Sequence, residues 1–278
     1  MPLTTRFAPS PTGYLHLGHA FSAYHAWKRA RDAGGRFLLR LEDIDPTRCR
    51  PEFAAAIQED LAWLGLHWDD PVRVQSAHLP EYQAVLDGLA ELGLVYPCFC
   101  TRADVQREVS ASAGAPHAPD GAPLYPGTCR RLSASERAAR MAAGERFALR
   151  LDMAAALIPG LWYEEAGEGR VPCHPQAFGD VVLARKDAPA SYHLCVTHDD
   201  ALQGVTLVTR GDDLRPATDL HRLLQALMGW PAPMYAHHRL MLDTSGRRLA
   251  KRDKAATLRD MRARGLFAED VIALIRAG

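Results

Sequence analysis

The stretch of this chain that most restricts its fold is RFAPSPTGYLHLGH, at positions 6–19. Residues Thr4–Phe7 predict a strand, and two prolines and Gly13 then end it, because proline fixes φ and glycine permits a positive φ. Small and apolar residues recur at helical spacing afterwards, so we expect a helix from about Leu15. A strand, a Gly/Pro-rich turn and a helix N-terminus form a geometry in which free backbone N–H groups and the helix dipole face a phosphate.

Two histidines at the start of this helix indicate which groups would meet the phosphate. His16 and His19 lie three residues apart, so both rings can occupy one face of the first turns. Gly18 between them leaves room for a flat base or a phosphate to approach the backbone. The stretch lacks the GxxxxGK[ST] pattern of a P-loop. We therefore expect a phosphate site with two imidazoles in place of a lysine, and the alternative is two ordinary, partly buried histidines.

A second strand is predicted over Arg36–Leu41, a short apolar run that follows a Gly-Gly helix stop. Strand, helix and strand with short connections form a βαβ unit. The expected fold is therefore α/β with a parallel sheet and a nucleotide at the carboxyl ends of its strands.

Carboxylates gather directly after this second strand. Asp43, Asp45 and Arg48 are explained as turn caps and an Asp43–Arg48 pair. Glu42 differs from them, because it faces the same mouth as the two histidines and can receive a substrate ammonium.

A later β-branched run, at 204–209, predicts another buried strand, and Arg210 lies at its end. A guanidinium there suits a bidentate contact with a carboxylate, and the alternative is a turn pair with Asp212. Arg6 and Arg210 would together balance one carboxylate side chain on a substrate. Tyr192 precedes an apolar run where we expect the chain to return to the α/β domain, although it can also be a plain core residue.

Residues 96–185 have a different character and are predicted to be an insertion. Cys98 and Cys100 form a CxC pair, and Cys129 follows across a loop. Neighbouring CxC thiols rarely form a disulfide, whereas both can reach one Zn²⁺. The fourth ligand stays open between His117, the ordinary choice, and Tyr125, a rare one. Three reduced thiols without metal are the alternative, and a zinc ion here would be structural because no ligand position stays open.

Composition sets broader limits. The chain has 278 residues, and Lys and Arg total 33, as do Asp and Glu, so its net charge does not indicate a nucleic-acid partner. The segment 247–264 is locally basic, and the alternative to a nucleic-acid-binding role for it is a solvated helix face. We find no signal peptide and no apolar run near the roughly 20 residues that a bilayer requires. We expect a cytoplasmic protein that does not bind membranes, and nothing demands more than a monomer.

The stretch at positions 6–19 resembles the HIGH signature of class I aminoacyl-tRNA synthetases, and its fuller form resembles their glutamyl/glutaminyl branch. The RLEDID segment at 40–45 is similar to the same branch. The segment RRLAKRD at 247–253 resembles a degraded KMSKS loop in which Lys251 is retained. The resemblance implies a Rossmann-type catalytic domain whose parallel sheet is interrupted by a zinc-containing insertion, followed by a short helical C-terminal segment. The expected parts are a first half at 1–95, the insertion at 96–185, a second half at 186–243, and the KMSKS-like loop with the helical segment at 244–278.

The resemblance also implies site residues. The expected glutamate-binding residues are Arg6, Ala8, Ser10, Glu42, Tyr192 and Arg210. The expected ATP-binding residues are His16, Gly18, His19 and Lys251, and His16, His19 and Lys251 are expected to be catalytic. The expected ligands of one structural Zn²⁺ are Cys98, Cys100, Tyr125 and Cys129, and Mg²⁺ is expected to accompany ATP.

The chain ends about 25 residues after the KMSKS-like segment, so we expect no helical domain that reads an anticodon. This matches paralogues of the branch that activate L-glutamate to glutamyl-adenylate without tRNA and attach it to queuosine in the anticodon loop of tRNA(Asp). The alternatives are a truncated glutamyl-tRNA synthetase and a small-molecule adenylyltransferase. A non-catalytic tRNA-binding paralogue has less support, because the histidines, Glu42 and Lys251 are intact.

Overall fold

The computed structural model describes residues 2–111, 117–241 and 256–277. Lys251 and the rest of the KMSKS-like segment lie outside the described residues. The strands are β1 (Thr4–Phe7), β2 (Arg36–Leu41), β3 (Arg73–Val74), β4 (Val95–Cys98), β5 (Ala148–Leu151), β6 (Trp162–Glu165), β7 (Gly169–Pro172), β8 (Val182–Ala184), β9 (Leu207–Gly211) and β10 (Met234–His238). The α-helices are α1 (Leu17–Asp32), α2 (Pro51–Trp63), α3 (Leu79–Glu91), α4 (Arg102–Ala111), α5 (Ala134–Ala142), α6 (Met153–Ala156), α7 (Tyr192–Leu202), α8 (Ala217–Leu227), α9 (Leu258–Ala263) and α10 (Ala268–Ala277).

The predicted βαβ unit is confirmed. Strands β1 and β2 pair in parallel, with Thr4 opposite Arg36, and β3 continues the parallel pairing on the far side of β2. Helix α1 connects β1 to β2 and buries four alanines, which lets it pack closely on the sheet. The parallel strands require covered faces, and α1, α2 and α10 share one apolar core with β1 and β2.

A second parallel group extends the sheet. Strand β10 pairs in parallel with both β9 and β6. Thr206, just before β9, donates its N–H to the carbonyl of Thr4 at 3.0 Å, so β9 lies beside β1. The strand order across the two groups is therefore β3-β2-β1-β9-β10-β6-β7, and the order reverses between β1 and β9. Ligands of open α/β sheets bind at such a reversal, outside the carboxyl ends of the strands.

The segment predicted to be an insertion divides between two sheets. Strands β4, β5 and β8 form a separate antiparallel sheet. The Gly- and Glu-rich stretch at 164–170 predicts a hairpin or loop, and β6 and β7 form a hairpin there that joins the parallel sheet through β10 instead.

Two predicted helices differ from the structure, and one helix, α7, was not predicted. The sequence predicts a helix from Asp213 to Met228 with Asp212 or Asp213 as its cap, whereas α8 begins at Ala217, because residues 212–214 form a 3₁₀ turn and no side chain caps the helix. Tyr192 is the first residue of α7, which Ser191 caps through the N–H of Leu194. The predicted helical tail is two helices, since Gly265 adopts a φ of +86° between α9 and α10. No helix within the described ranges combines the length and apolar character needed to cross a membrane.

Candidate functional site

A cavity of about 360 Å³ opens at the reversal of strand order. Eight predicted site residues line it: Arg6, Ala8, His16, Gly18, His19, Glu42, Tyr192 and Arg210. Ser10 is exposed and is not part of the wall, and Lys251 lies outside the described residues. The volume is in the range of pockets that hold small molecules.

The two histidines form the cap of α1. His16 Nδ1 accepts the N–H of Gly18 at 3.1 Å, and His19 Nδ1 accepts the N–H of His16 at 3.2 Å. The ring centroids are 3.8 Å apart. Because both Nδ1 atoms accept, each neutral ring carries its proton on Nε2. The prediction of free backbone N–H groups is wrong for His16 and Gly18, whose N–H groups already bind imidazole.

Gly18 is needed for a reason that the sequence does not show. A Cβ atom at Gly18 would lie 3.1 Å from His16 Cε1, which is closer than ordinary contact. The ring of His16 therefore takes the space on the Cβ side of this glycine, and Gly18 itself lines the cavity.

Arg6 belongs to a buried ion-pair network. Its Nε donates to Asp200 Oδ1 at 2.9 Å, its Nη2 donates to Asp200 Oδ2 at 3.3 Å, and its Nη1 donates to the carbonyl of Thr209. Arg40, with no exposed surface, donates to the same Asp200 at 2.9 Å. Burial raises the pKa of Asp200, but Arg6 and Arg40 outweigh it and hold this pKa below its usual value. The charge of Arg6 is thus already balanced inside the protein.

Glu42 lies next to this network. Its Oε1 is 3.6 Å from Arg40 Nη2, and the residue is 8% exposed. Burial raises the pKa of Glu42 to about 7, although Arg40 and Arg6 act to lower it. Of its neighbours in sequence, Asp43 accepts from the N–H and the hydroxyl of Ser76, and Asp45 rather than Asp43 pairs with Arg48.

Arg210 lies on the opposite wall among neutral groups. Its Nε donates to His237 Nε2 at 3.2 Å, its Nη1 to His221 Nδ1 at 3.0 Å and its Nη2 to Thr218 Oγ1 at 2.6 Å. None of the ion pairs between described residues includes Arg210, and the alternative pair with Asp212 does not form, since Asp212 lies 3.7 Å from Arg215. No carboxylate among the residues that the structure describes balances the charge of Arg210.

Sequence reasoning missed the residues that hold these side chains in place: Arg40, Asp199, Asp200, Thr218, His221 and His237. One signal was available for Asp199 and Asp200. They lie in the last turns of α7, where the helix dipole disfavours negative charge, so they need cationic partners. Asp199 accepts from Arg73, Gln75 and Tyr82, each at 2.9 Å.

The cysteines of the insertion come together away from this cavity. The sulfur atoms of Cys98, Cys100 and Cys129 all lie within 4.8 Å of one another. Tyr125 Oη is 3.4 Å from Cys100 Sγ and accepts the N–H of Cys129 at 2.8 Å. His117 is exposed and is not part of this group of donors. Three thiols and one phenol suit a soft, tetrahedral ion such as Zn²⁺.

Comparison with known proteins gives a consistent result. The family model of class I tRNA synthetases (E and Q), catalytic domain, matches residues 2–277. A glutamyl-Q tRNA(Asp) synthetase from Rhodobacter capsulatus is 49% identical over 281 positions, which cover 98% of this chain and 99% of that protein. A glutamate–tRNA ligase from Aquifex aeolicus is 38% identical over 267 positions, which cover 95% of this chain and 54% of that protein.

A solved structure supports the same fold. The crystal structure of a glutamate–tRNA synthetase from Elizabethkingia anophelis superposes with a TM-score of 0.84 at 26% identity. The match covers 99% of this chain and 61% of the other, so this chain spans about three fifths of that protein's length.

Proposed function

Because this chain belongs to the family of class I tRNA synthetases of the E and Q type, we propose that it activates L-glutamate with ATP in the absence of tRNA and transfers the glutamate to queuosine in the anticodon loop of tRNA(Asp). The main observation that supports glutamate as the substrate is the state of Arg210, whose guanidinium lies on the wall of the cavity and has three neutral hydrogen-bond partners. The name of a relative that matches along its whole length supports the acceptor.

We assign the substrate's three charged groups to three parts of the cavity. The side-chain carboxylate binds Arg210, and the ammonium lies against Glu42 and Tyr192. Burial, followed by the nearby charge of Glu42, raises the pKa of the Tyr192 phenol, so the phenol stays neutral and its oxygen can accept an N–H of the ammonium. The α-carboxylate then points to the side of the two histidines. Arg6 shapes this pocket through its pair with Asp200, and Ala8 borders it.

The chemistry requires no protein nucleophile. An oxygen of the α-carboxylate forms a bond to the α-phosphorus of ATP, and the bond to the β-phosphate oxygen breaks and releases pyrophosphate. ATP is used with Mg²⁺ in this class. The Nε2–H groups of His16 and His19 would donate to phosphate oxygens, and Lys251 would approach from the other side. Catalysis then consists of positioning and of stabilising charge on the phosphates.

We also propose that Cys98, Cys100, Tyr125 and Cys129 hold one structural Zn²⁺. Three thiolates are the kind of ligand that zinc binds in closed structural sites, the Tyr125 phenol is a rare fourth ligand, and together they connect β4 to the turn at 125–129. The predicted boundaries at residues 95, 185 and 243, and a cytoplasmic monomer, are parts of the same proposal.

The test uses labelled glutamate, ATP, Mg²⁺ and two pools of bulk tRNA, one with queuosine and one from cells unable to make it. We expect acid-precipitable label only in the pool with queuosine. Equal label in both pools would mean aminoacylation at the 3′ end, as in a truncated glutamyl-tRNA synthetase. No label in either pool, with ATP–pyrophosphate exchange present, would mean a small-molecule adenylyltransferase.

A further inference from the structure

The three hydrogen-bond partners of Arg210 determine which of its N–H groups can bind a ligand. An arginine side chain has five N–H groups, all of them donors. The hydrogen bonds between described residues take three: Nε–H goes to His237, one N–H of Nη1 to His221 and one of Nη2 to Thr218. One N–H remains on each terminal nitrogen, which is the fork that matches the two oxygens of a carboxylate.

His221 is the partner whose protonation state can be worked out fully. Arg210 can only donate, so His221 Nδ1 must accept, and the proton of the neutral ring is on Nε2. That Nε2–H lies 3.2 Å from His193 Nδ1 and donates to it. His193 on α7 thereby holds His221 on α8 in the one tautomer that can accept from Arg210.

Burial, assisted by nearby positive charge, lowers the pKa of both rings and keeps them neutral. Burial, then Arg210, His193, Arg6 and His237, lowers the pKa of His221 well below its usual value. Burial and Arg210 also lower the pKa of His193 to about 4, against the opposite effect of Asp120. An uncharged acceptor therefore faces Arg210 from α8.

Arg210 is held in the same way from β10. His237 Nε2 accepts from Arg210, while His237 Nδ1 lies 2.7 Å from Glu165 Oε2. The carboxylate of Glu165 is thus separated from Arg210 by the imidazole ring of His237. All three acceptors orient the guanidinium without neutralising it.

We propose that His221 is a specificity-determining positioning residue. It orients Arg210 through an uncharged acceptor atom, which His193 holds in place. The two remaining N–H groups of the guanidinium can then bind the side-chain carboxylate of glutamate and disfavour the amide of glutamine. This inference rests on the proposed function. An amide offers one acceptor and presents donors to the second N–H, so the site selects a carboxylate only while Arg210 has no internal one.

The decisive test is the matched pair His221→Asn and His221→Asp, which differ in charge and hardly in shape. Asn places an amide oxygen where Nδ1 was, whereas Asp places a carboxylate there. We measure ATP–pyrophosphate exchange without tRNA, with glutamate or glutamine. We expect the KM for glutamate to stay within about threefold in His221→Asn and to rise about 100-fold in His221→Asp, because the new carboxylate competes with the substrate for Arg210. The preference for glutamate over glutamine should fall at least about tenfold in the Asp variant only, with the KM for ATP unchanged.

Gln225→Glu is the control for burying a carboxylate, since Gln225 lies one turn further along α8 and contacts Arg222 and Tyr235. We expect it to keep the wild-type KM for glutamate. If His221→Asp does not fold, the comparison of His221→Leu with His221→Asn replaces it, and the Asn variant should restore the glutamate KM that the Leu variant loses.

Equal KM values and equal glutamate preference in His221→Asn and His221→Asp would overturn the inference while the proposed function stands. Absence of glutamate-dependent exchange in the wild-type protein would instead contradict the proposed function. In that case the shift in melting temperature caused by glutamate decides about His221, since it reports binding without catalysis. A shift that is kept in His221→Asn and lost in His221→Asp would support the inference, and equal shifts would overturn it.

Discussion

Two arginines line the cavity, and the regions around them differ in charge. On the wall formed by β1 and β2, Arg6 shares Asp200 with Arg40, and Glu42 and Asp199 lie close by. On the wall formed by β9 and α8, Arg210 meets two imidazoles and a hydroxyl.

This difference in surrounding charge indicates that the two arginines have different roles. Arg6 and Arg210 are both 5% exposed, so burial does not distinguish them. A buried guanidinium with a bidentate carboxylate has little charge left for a ligand, whereas one with neutral acceptors needs an anion from outside the chain. We therefore assign Arg6 to the stability and shape of the cavity, and Arg210 to the substrate.

Arg210→Gln is the substitution with the largest expected effect, and it tests directly whether Arg210 binds the substrate. We expect kcat/KM for glutamate to fall by about 1000-fold, which corresponds to about 4 kcal/mol of lost transition-state binding. Exchange of labelled pyrophosphate into ATP measures it. The control is Arg215→Gln, a surface arginine that pairs with Glu168 close to the same wall, and it should change kcat/KM by less than about twofold. A small effect at Arg210 would remove it as the residue that binds the side chain.

The opposite wall is tested through Asp200→Asn. This change leaves Arg6 and Arg40 buried without their shared anion, so the free energy of unfolding should fall by about 3 kcal/mol. Urea denaturation measures the loss. Asp32→Asn breaks only the exposed pair with Lys28 and should cost at most about 1 kcal/mol. Similar losses in the two variants would mean that the Arg6 network does not stabilise the fold.

A smaller effect is expected from the pH. The pKa of Glu42 is raised to about 7. In the proposed binding mode, the substrate ammonium binds the ionised carboxylate. Below that value the carboxyl must lose its proton before glutamate binds, so KM for glutamate should rise by up to about tenfold per unit as pH falls, and should level off above about pH 8. Glu42→Gln should show a higher KM that does not vary between about pH 5.5 and 8. A flat wild-type profile would show that Glu42 stays ionised or does not meet the ammonium.

A substitution in the cysteine cluster is expected to have the smallest effect on substrate selection in the cavity. Cys98→Ser should lower zinc content and melting temperature together, because a structural zinc contributes folding free energy. The preference for glutamate over glutamine should stay within about twofold, since neither arginine contacts the cluster. Metal analysis of the purified protein provides the measurement, and unchanged zinc content would exclude this ligand set.

Local signals explain what the sequence predicts well. The strand, turn and helix at residues 4–32 follow from proline, glycine and apolar spacing, which act over a few residues. Glu42 and Arg210 were identified because each directly follows, or lies at the end of, a strand that could be read from its own apolar run. The wall of the cavity confirms that these two residues lie around one space.

The partners of these residues could not be predicted, because they come from distant parts of the chain. Asp200 is 194 residues from Arg6 and 160 from Arg40. No periodic pattern distinguishes an aspartate that balances a buried arginine from one on a solvent-exposed helix face. The predicted cap of α8 was wrong for a related reason. Asp212 and Asp213 resemble helix caps in their local sequence, yet they form a 3₁₀ turn that precedes the helix.

The measurement that tests the account most directly is ATP–pyrophosphate exchange by the wild-type protein without tRNA, with glutamate, glutamine and aspartate as separate substrates. Arg210 in its neutral surroundings predicts exchange that depends on glutamate, with kcat/KM at least about 100-fold above that for glutamine. Exchange with glutamine as efficient as with glutamate would contradict the role of Arg210. No exchange with any of the three would contradict the activation of an amino acid in this cavity.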